Sequence, residues 1–188
     1  VYLPYFLSWV ILGGIFFNIL SPSTGIINRI LEMVGLPTQY FLGDNQHFRW
    51  VLVLTDIWKT FGYGSIIYLA ALTSIDSTLY EAAAIDGANR FRQVLVVTLP
   101  GISSIVFVMA VLSLGNILNA GFDQVLNMYS PQVYQTGDIL DTFIYRIGLQ
   151  QAQYSLSTAV GFFRSVISFL MISISYFLAY RYGNYRIF

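Results

Sequence analysis

Four long apolar runs, separated by shorter segments in which polar and apolar positions mix, organise this chain. The first is YLPYFLSWVILGGIFFNIL, residues 2–20, and the second WVLVLTDIWKTFGYGSIIYLAAL, residues 50–72. The third is GISSIVFVMAVLSLGNILNAGF, residues 101–122, and the fourth STAVGFFRSVISFLMISISYFLAY, residues 157–180. A bilayer core needs about 20 mostly apolar residues in helical form. Only helices or closed barrels satisfy their backbone groups in lipid, and these runs lack the alternation of barrel strands. The pattern predicts an all-α membrane protein, a multi-span helical bundle with about four spans. Gly13, Gly14, Gly62, Gly64, Ser113 and Gly115 are small enough to let helices approach closely.

The mixed segments carry their own signals. In SPSTGIINRILEMVGLP, Ile26, Ile27, Ile30, Leu31 and Val34 recur at helical spacing, while Asn28, Arg29 and Glu32 take the other face. Ser23 or Thr24 is positioned to start this helix, and Gly35 with Pro37 to stop it. Such a helix suits the interfacial plane. The stretch from Asp123 to Leu156 reads as a polar and aromatic loop with some helix. Between the second and third runs lies TLYEAAAIDGANRFRQVLVVTLP, residues 78–100, a charged and alanine-rich island. Thr78 and Glu81 have the spacing of a capping box. Gly87 permits a sharp bend or a positive φ. NRFRQVLVV suits a second short helix, and Pro100 the first turn of the third span, where a missing N–H costs nothing.

Composition agrees with a membrane protein: 10% of residues are charged, against roughly 25% in soluble domains. Net charge is zero, so nothing calls for nucleic acid. Absence of cysteine excludes disulfides and thiolate metal sites. The single histidine, His47, lies in a polar stretch and reads as an exposed loop residue. No catalytic Ser/His or metal-ligand constellation falls within the runs, so neither an enzyme nor a cofactor is indicated. Nor is there a G-x-x-x-x-G-K-[ST] phosphate loop; ATP, if used, belongs to another subunit. A start at Val1, with no charged n-region, reads as a fragment whose N-terminal part is missing.

The spacing Glu81-Ala82-Ala83, three residues, Gly87, nine residues, Val97, one residue, Leu99-Pro100 resembles the EAA motif of type I ABC importer permeases. The family prefers isoleucine where this chain has Val97. Asp86 and Ala88 beside the glycine are also similar to that family. YLPYFLSWVI, GIINRIL and GFDQVLNMYSP resemble carbohydrate importers, especially the LplB-like polysaccharide permease group. The resemblance extends over residues 1–188 and implies one type I transmembrane domain with a coupling loop at 76–100. It implies a permease subunit of an ATP-driven oligosaccharide or carbohydrate importer. Glu81, Ala82, Ala83, Asp86, Gly87 and Pro100 would then form the loop that docks on cytoplasmic ABC ATPase subunits. A second permease subunit in a heterodimer and an extracytoplasmic solute-binding protein are implied as further partners. Lys and Arg lean the same way: Arg90, Arg92, Arg181 and Arg186 share one side of the membrane, Arg29, Arg49 and Arg146 the other. Segment 73–100 and the C-terminus are thus expected in the cytoplasm of a multi-pass cell-membrane protein.

Polar groups within spans are costly and often functional. Asn116, Asn119 and Asp123 have the spacing of one helical face and are the expected substrate stripe, with Tyr63, Trp58 and Phe122 as aromatic surfaces for a sugar. The same spacing also suits hydrogen bonding between helices. Asp56 and Lys59, three apart, are expected to pair with each other. Arg164 either snorkels to the surface or lines the pathway. Two alternatives stay open: an ion-coupled secondary transporter with Asp56 or Asp123 as its ion site, and an importer of a non-sugar solute.

Overall fold

The computed structural model describes residues 2–115 and 118–183, and among them all regular structure is helical. The elements are α1 (Leu3–Phe6), α2 (Trp9–Ile19), α3 (Ile26–Met33), α4 (Asn45–Thr73), α5 (Ser77–Ile85) and α6 (Arg90–Gln93). α6 runs through a π-helical turn, Val94–Thr98, into α7 (Leu99–Gly115). After these come α8 (Phe122–Met128), a 3₁₀ turn at Pro131–Val133, α9 (Tyr134–Gly137), α10 (Leu140–Tyr145), a second π-helical turn at Arg146–Gln150, and α11 (Tyr154–Gly183). Cα packing divides the chain into two compact units, residues 1–62 with 119–166 and residues 63–118 with 167–188.

Each predicted run contains a helix, but the boundaries shift for identifiable reasons. The first run is broken. Leu7 is extended (ψ 137°) and Ser8 caps α2 by accepting from the Ile11 N–H at 3.4 Å. The second begins earlier, at Asn45, and its 29 residues reach about 44 Å at 1.5 Å per residue. His47 therefore lies in the first turn of a helix and not in a loop; its ring bonds Asp44, which holds that carboxyl below its usual range. The third run starts at Arg90. Two helical stretches, Arg90–Ser113 and Tyr154–Phe177, are long and apolar enough to cross a membrane by length and composition, and Trp9–Ile19 is a shorter apolar helix.

Pro100 consequently lies ten residues into a continuous helix rather than in its first turn. A proline there removes one N–H and crowds the preceding turn. The π turn takes up the mismatch, with the Leu99 N–H donating to Val94 O, five residues back.

The unit formed by residues 1–62 and 119–166 is organised around Leu42, Phe48, Val51, Met128 and Val133, all buried. Gly13 lets α2 and α8 cross closely, because a Cβ there would sit 3.1 Å from Asn127 O. Gln124 of α8 ties into α4: its Nε2 donates to Leu52 O at 2.7 Å and to Thr55 Oγ1 at 2.8 Å. Lys59 does not pair with Asp56. Its ammonium donates to Leu7 O at 2.5 Å and lies 4.7 Å from the centre of the Trp9 ring. The break in the first run thus exposes a carbonyl, and Lys59 satisfies it; left unpaired in lipid, that group would cost several kcal/mol.

α3 also differs from its predicted face. Neither Ser23 nor Thr24 caps it; Gly25 occupies the N-cap without a side-chain bond. Asn28, expected on the polar face, is buried: its Nδ2 donates to Ser21 O and Gln39 O, and its Oδ1 accepts from the Gln39 N–H at 2.7 Å. Three bonds to chain on both sides of α3 outweigh the preference of an amide for water. Ile26, Ile30, Met33 and Val34 are turned outward instead.

Candidate functional site

Two regions carry most of the predicted functional residues, and each lies within one compact unit. The first is an elbow in residues 76–100. Asp76, not Thr78, starts α5, its side chain accepting from the Thr78 N–H at 2.9 Å. An aspartate one residue before the helix outcompetes the Thr78–Glu81 box for the free N–H groups of the first turn. At the other end Gly87 has φ +78°. The Ala88 N–H donates to Ala83 O and the Gly87 N–H to Ala84 O, which closes α5 in a Schellman motif that favours glycine at this position. Asn89 then caps α6 by accepting from the Arg92 N–H at 2.9 Å. The two arms are held together by Tyr80 OH and Thr98 Oγ1, 2.9 Å apart, and by Ile75 seated against Gly101.

What the elbow presents outward is the informative part. Glu81, Ala82, Asp86 and Gly87 are exposed and Ala83 is half-buried. Ile85 is 87% exposed and Phe91 73%, large apolar surfaces on a segment that also carries Arg90 and Arg92. A bent, capped pair of helices with exposed apolar and charged groups is suited to a protein partner.

The second region is a cavity of about 540 Å³ in the unit of residues 1–62 and 119–166, within the usual range for ligand sites. Asn119, Phe122, Asp141, Tyr145, Tyr154 and Arg164 are among its lining residues. Asp141 Oδ1 and an Arg164 guanidinium nitrogen are 2.7 Å apart. The Phe122 and Tyr145 rings lie 5.8 Å apart, tilted by 58°. Asn119 also lines a cavity of about 310 Å³ beside Asp56 and Gln124.

The chain's path explains this geometry. Asp138 fixes the segment ahead of the cavity: it accepts from Thr142 Oγ1 at 2.7 Å and pairs with Arg146, raising the pKa of that guanidinium. The π turn that follows ends with the Gln151 N–H on Arg146 O, and Ala152 then reverses the chain at φ +55°. Ser157, on the first turn of α11, donates to Ile144 O at 3.1 Å beside Gly148, where a Cβ would collide with it. Those contacts set Tyr154, Ser157, Thr158 and Arg164 of α11 along the same cavity as α10.

A family model described as "Binding-protein-dependent transport system inner membrane component" matches residues 1–187. The chain belongs to this family. Among curated relatives of these inner membrane components, Protein LplB of Bacillus subtilis (strain 168) is 39% identical over 188 residues, covering 100% of this chain and 59% of that protein. The polygalacturonan/rhamnogalacturonan transport system permease protein YteP of the same organism is 38% identical over 184 residues, 98% of this chain and 57% of that protein. A chain in the crystal structure of a bacterial alginate ABC transporter, solved with a periplasmic protein bound to alginate pentasaccharide, superimposes with a TM-score of 0.93 at 42% identity, over 96% of this chain and 63% of that one. This chain therefore spans about three fifths of the length of the proteins it matches. The all-α membrane fold follows, and the family comprises transport components, not enzymes.

Of the expected stripe, Asn119 and Asp123 do not share one helical face. α7 ends at Gly115, Asn119 is in irregular chain, and Gly121 (φ +72°) starts a separate helix that carries Asp123. Asn116 lies outside the described residues. Asn119 and Phe122 do reach the cavity, whereas Asp123 is exposed and lines neither cavity described above. Trp58 packs edge-on against Phe16 at 5.8 Å, and Tyr63 belongs to the other compact unit. Sequence reasoning missed Asp141, Tyr145 and Tyr154, which lie in a stretch read as loop. The available signal was Arg164, a charge in an apolar run that needs a counterion.

Proposed function

We propose that this chain forms the permease part of an ATP-driven importer for oligosaccharides or other carbohydrates. The observation that carries this reading is the elbow at Glu81–Gly87. Capped at both ends and bent at a left-handed glycine, it offers exposed alanines, Ile85 and Phe91 on a chain of this family. The partners are cytoplasmic ABC ATPase subunits seated on that elbow, a second permease in a heterodimer, and an extracytoplasmic solute-binding protein. ATP-driven closure of the ATPase pair moves the elbow, and the spans change access in response. Glu81 supplies a polar contact, Ala82 and Ala83 close packing, Gly87 the bend, with Asp86 and Pro100 completing the coupling segment. Residues 1–188 act as one transmembrane domain. Segment 73–100 and the C-terminus face the cytoplasm.

The carbohydrate class is supported by relatives named for polygalacturonan/rhamnogalacturonan and alginate, and by a cavity that combines Tyr145, Tyr154 and Phe122 with polar groups. Asn119 is the member of the expected pathway set that this cavity favours, and Asn116, Asp123, Tyr63 and Trp58 remain secondary choices. The test is reconstitution of the full-length protein with its partner subunits in proteoliposomes. Uptake of labelled oligosaccharide should require ATP on the elbow side and be indifferent to an ion gradient. Because the chain has no cysteine, an Ala84→Cys variant reports topology: an impermeant thiol reagent should miss it in intact cells and label it after lysis. Labelling in intact cells, or uptake driven by an ion gradient alone, would refute the reading.

A further inference from the structure

We infer that the cavity at the Asp141–Arg164 pair takes an uncharged, hydroxyl-rich glycosyl unit, and that Asp141 keeps carboxylated sugars out. The inference rests on the carbohydrate reading above and narrows it.

Charge sets the selectivity. Arg164 brings a guanidinium to the cavity wall, but Asp141 meets it at 2.7 Å, with side chains 27% and 16% exposed. No other cation is among the described residues lining this cavity. The adjoining cavity, which shares Asn119, adds a further carboxylate, Asp56, and no cation among its described lining residues. Across the two, the described lining residues carry two carboxylates against one guanidinium. An entering carboxylate would have to share Arg164 with Asp141. Like charges brought together at low dielectric are penalised far more than in water.

A neutral sugar meets no such penalty. An ionised carboxylate has about four lone-pair sites, more than one guanidinium contact uses, so Asp141 is able to accept from sugar hydroxyls while still paired to Arg164. The Asn119 amide offers both donor and acceptor. Tyr145, Tyr154 and Phe122 give an apolar wall for the C–H face of a ring. The Asp141–Arg164 contact is thus kept when a neutral ligand enters, whereas a carboxylated sugar would compete with Asp141 for the guanidinium.

The test uses the full-length permease assembled with its membrane partners in nanodiscs, without the solute-binding protein, so that only the membrane site selects. Thr158 lines the cavity, and a Thr158→Cys variant introduces this chain's sole thiol. The measurement is the rate at which a thiol reagent labels it in the presence of neutral trisaccharides (maltotriose, cellotriose, mannotriose, galactotriose) or acidic ones (trigalacturonate, trimannuronate). At least one neutral trisaccharide should protect, and the acidic ones should not. Adding Asp141→Asn should raise protection by an acidic trisaccharide relative to the neutral one by about tenfold, as expected for removing a like charge in contact. Asp141→Asn with Arg164→Gln, which removes both charges, should abolish that gain. Protection by trigalacturonate or trimannuronate with Asp141 intact would overturn the inference, as would an unchanged ratio in Asp141→Asn. If Asp141→Asn does not assemble, the comparison with Asp141 intact decides alone. Protection by none of the six sinks this inference; the carbohydrate reading falls with it only if ATP-dependent oligosaccharide uptake is also absent.

Discussion

The two compact units use polar residues in opposite ways. In residues 1–62 and 119–166, several polar side chains are turned inward and matched: Asn28 to Gln39, Gln124 to Thr55, Lys59 to Leu7, Asp138 to Arg146, Asp141 to Arg164. In residues 63–118, the polar groups of the elbow serve local geometry through Asp76 and Asn89, or face outward, as Glu81 and Asp86 do. The first arrangement preserves the shape of a cavity, because a buried polar group without a partner costs about 1–3 kcal/mol. The second builds a stiff, exposed bend whose outward groups wait for a partner. Damage to the first should register as lost stability, and damage to the second as lost coupling in a protein that still folds.

Gly87→Pro makes the largest break in that contrast. A proline fixes φ near −65°, while residue 87 needs +78°. We expect near-complete loss of ATP-dependent uptake with normal membrane insertion, measured as transport per inserted molecule. Normal transport would remove the coupling role from the elbow. Next in size is Gln124→Ala, in the other unit. It removes two bonds that tie α8 to α4 and should destabilise by about 1–3 kcal/mol. The expected outcome is a lower melting temperature in detergent, with uptake lost in proportion to folded protein. A large uptake defect in fully stable protein would blur the division between units.

Tyr80→Phe sharpens the comparison from the elbow side. It deletes the hydroxyl that meets Thr98, worth about 1 kcal/mol. The melting temperature should barely move while ATP-stimulated uptake falls. Ala152→Gly is the smallest. It relieves a left-handed alanine (φ +55°), a conformation costing roughly 1–2 kcal/mol, partly offset by the greater freedom of glycine in the unfolded chain. A slight gain in stability with unchanged uptake is expected, and a loss would show that the turn holds residue 152 without strain.

How far the sequence could be read depends on the range of each interaction. Helices at the four runs, the bend at Gly87 and the stop at Gly35 were legible, because apolar spacing and glycine act within a few residues. The cap at Asp76 was misplaced by two residues, since several side chains near one helix start compete for the same N–H groups. The outward polar face assigned to Asn28 failed because its partners, Ser21 and Gln39, lie seven and eleven residues away.

By itself, then, the sequence determined the class of protein: long apolar runs in a chain with so few charges point to a membrane, and the Glu81–Pro100 spacing marked the segment that bends. The tertiary structure alone decided where the third run ends, which group Lys59 bonds, and that Asp141 meets Arg164. The physical reason is separation along the chain. Asp141 and Arg164 are 23 positions apart, and Lys59 and Leu7 are 52 apart. Which of many polar groups become partners at such distances is set by which helix faces pack together, and no local pattern encodes that.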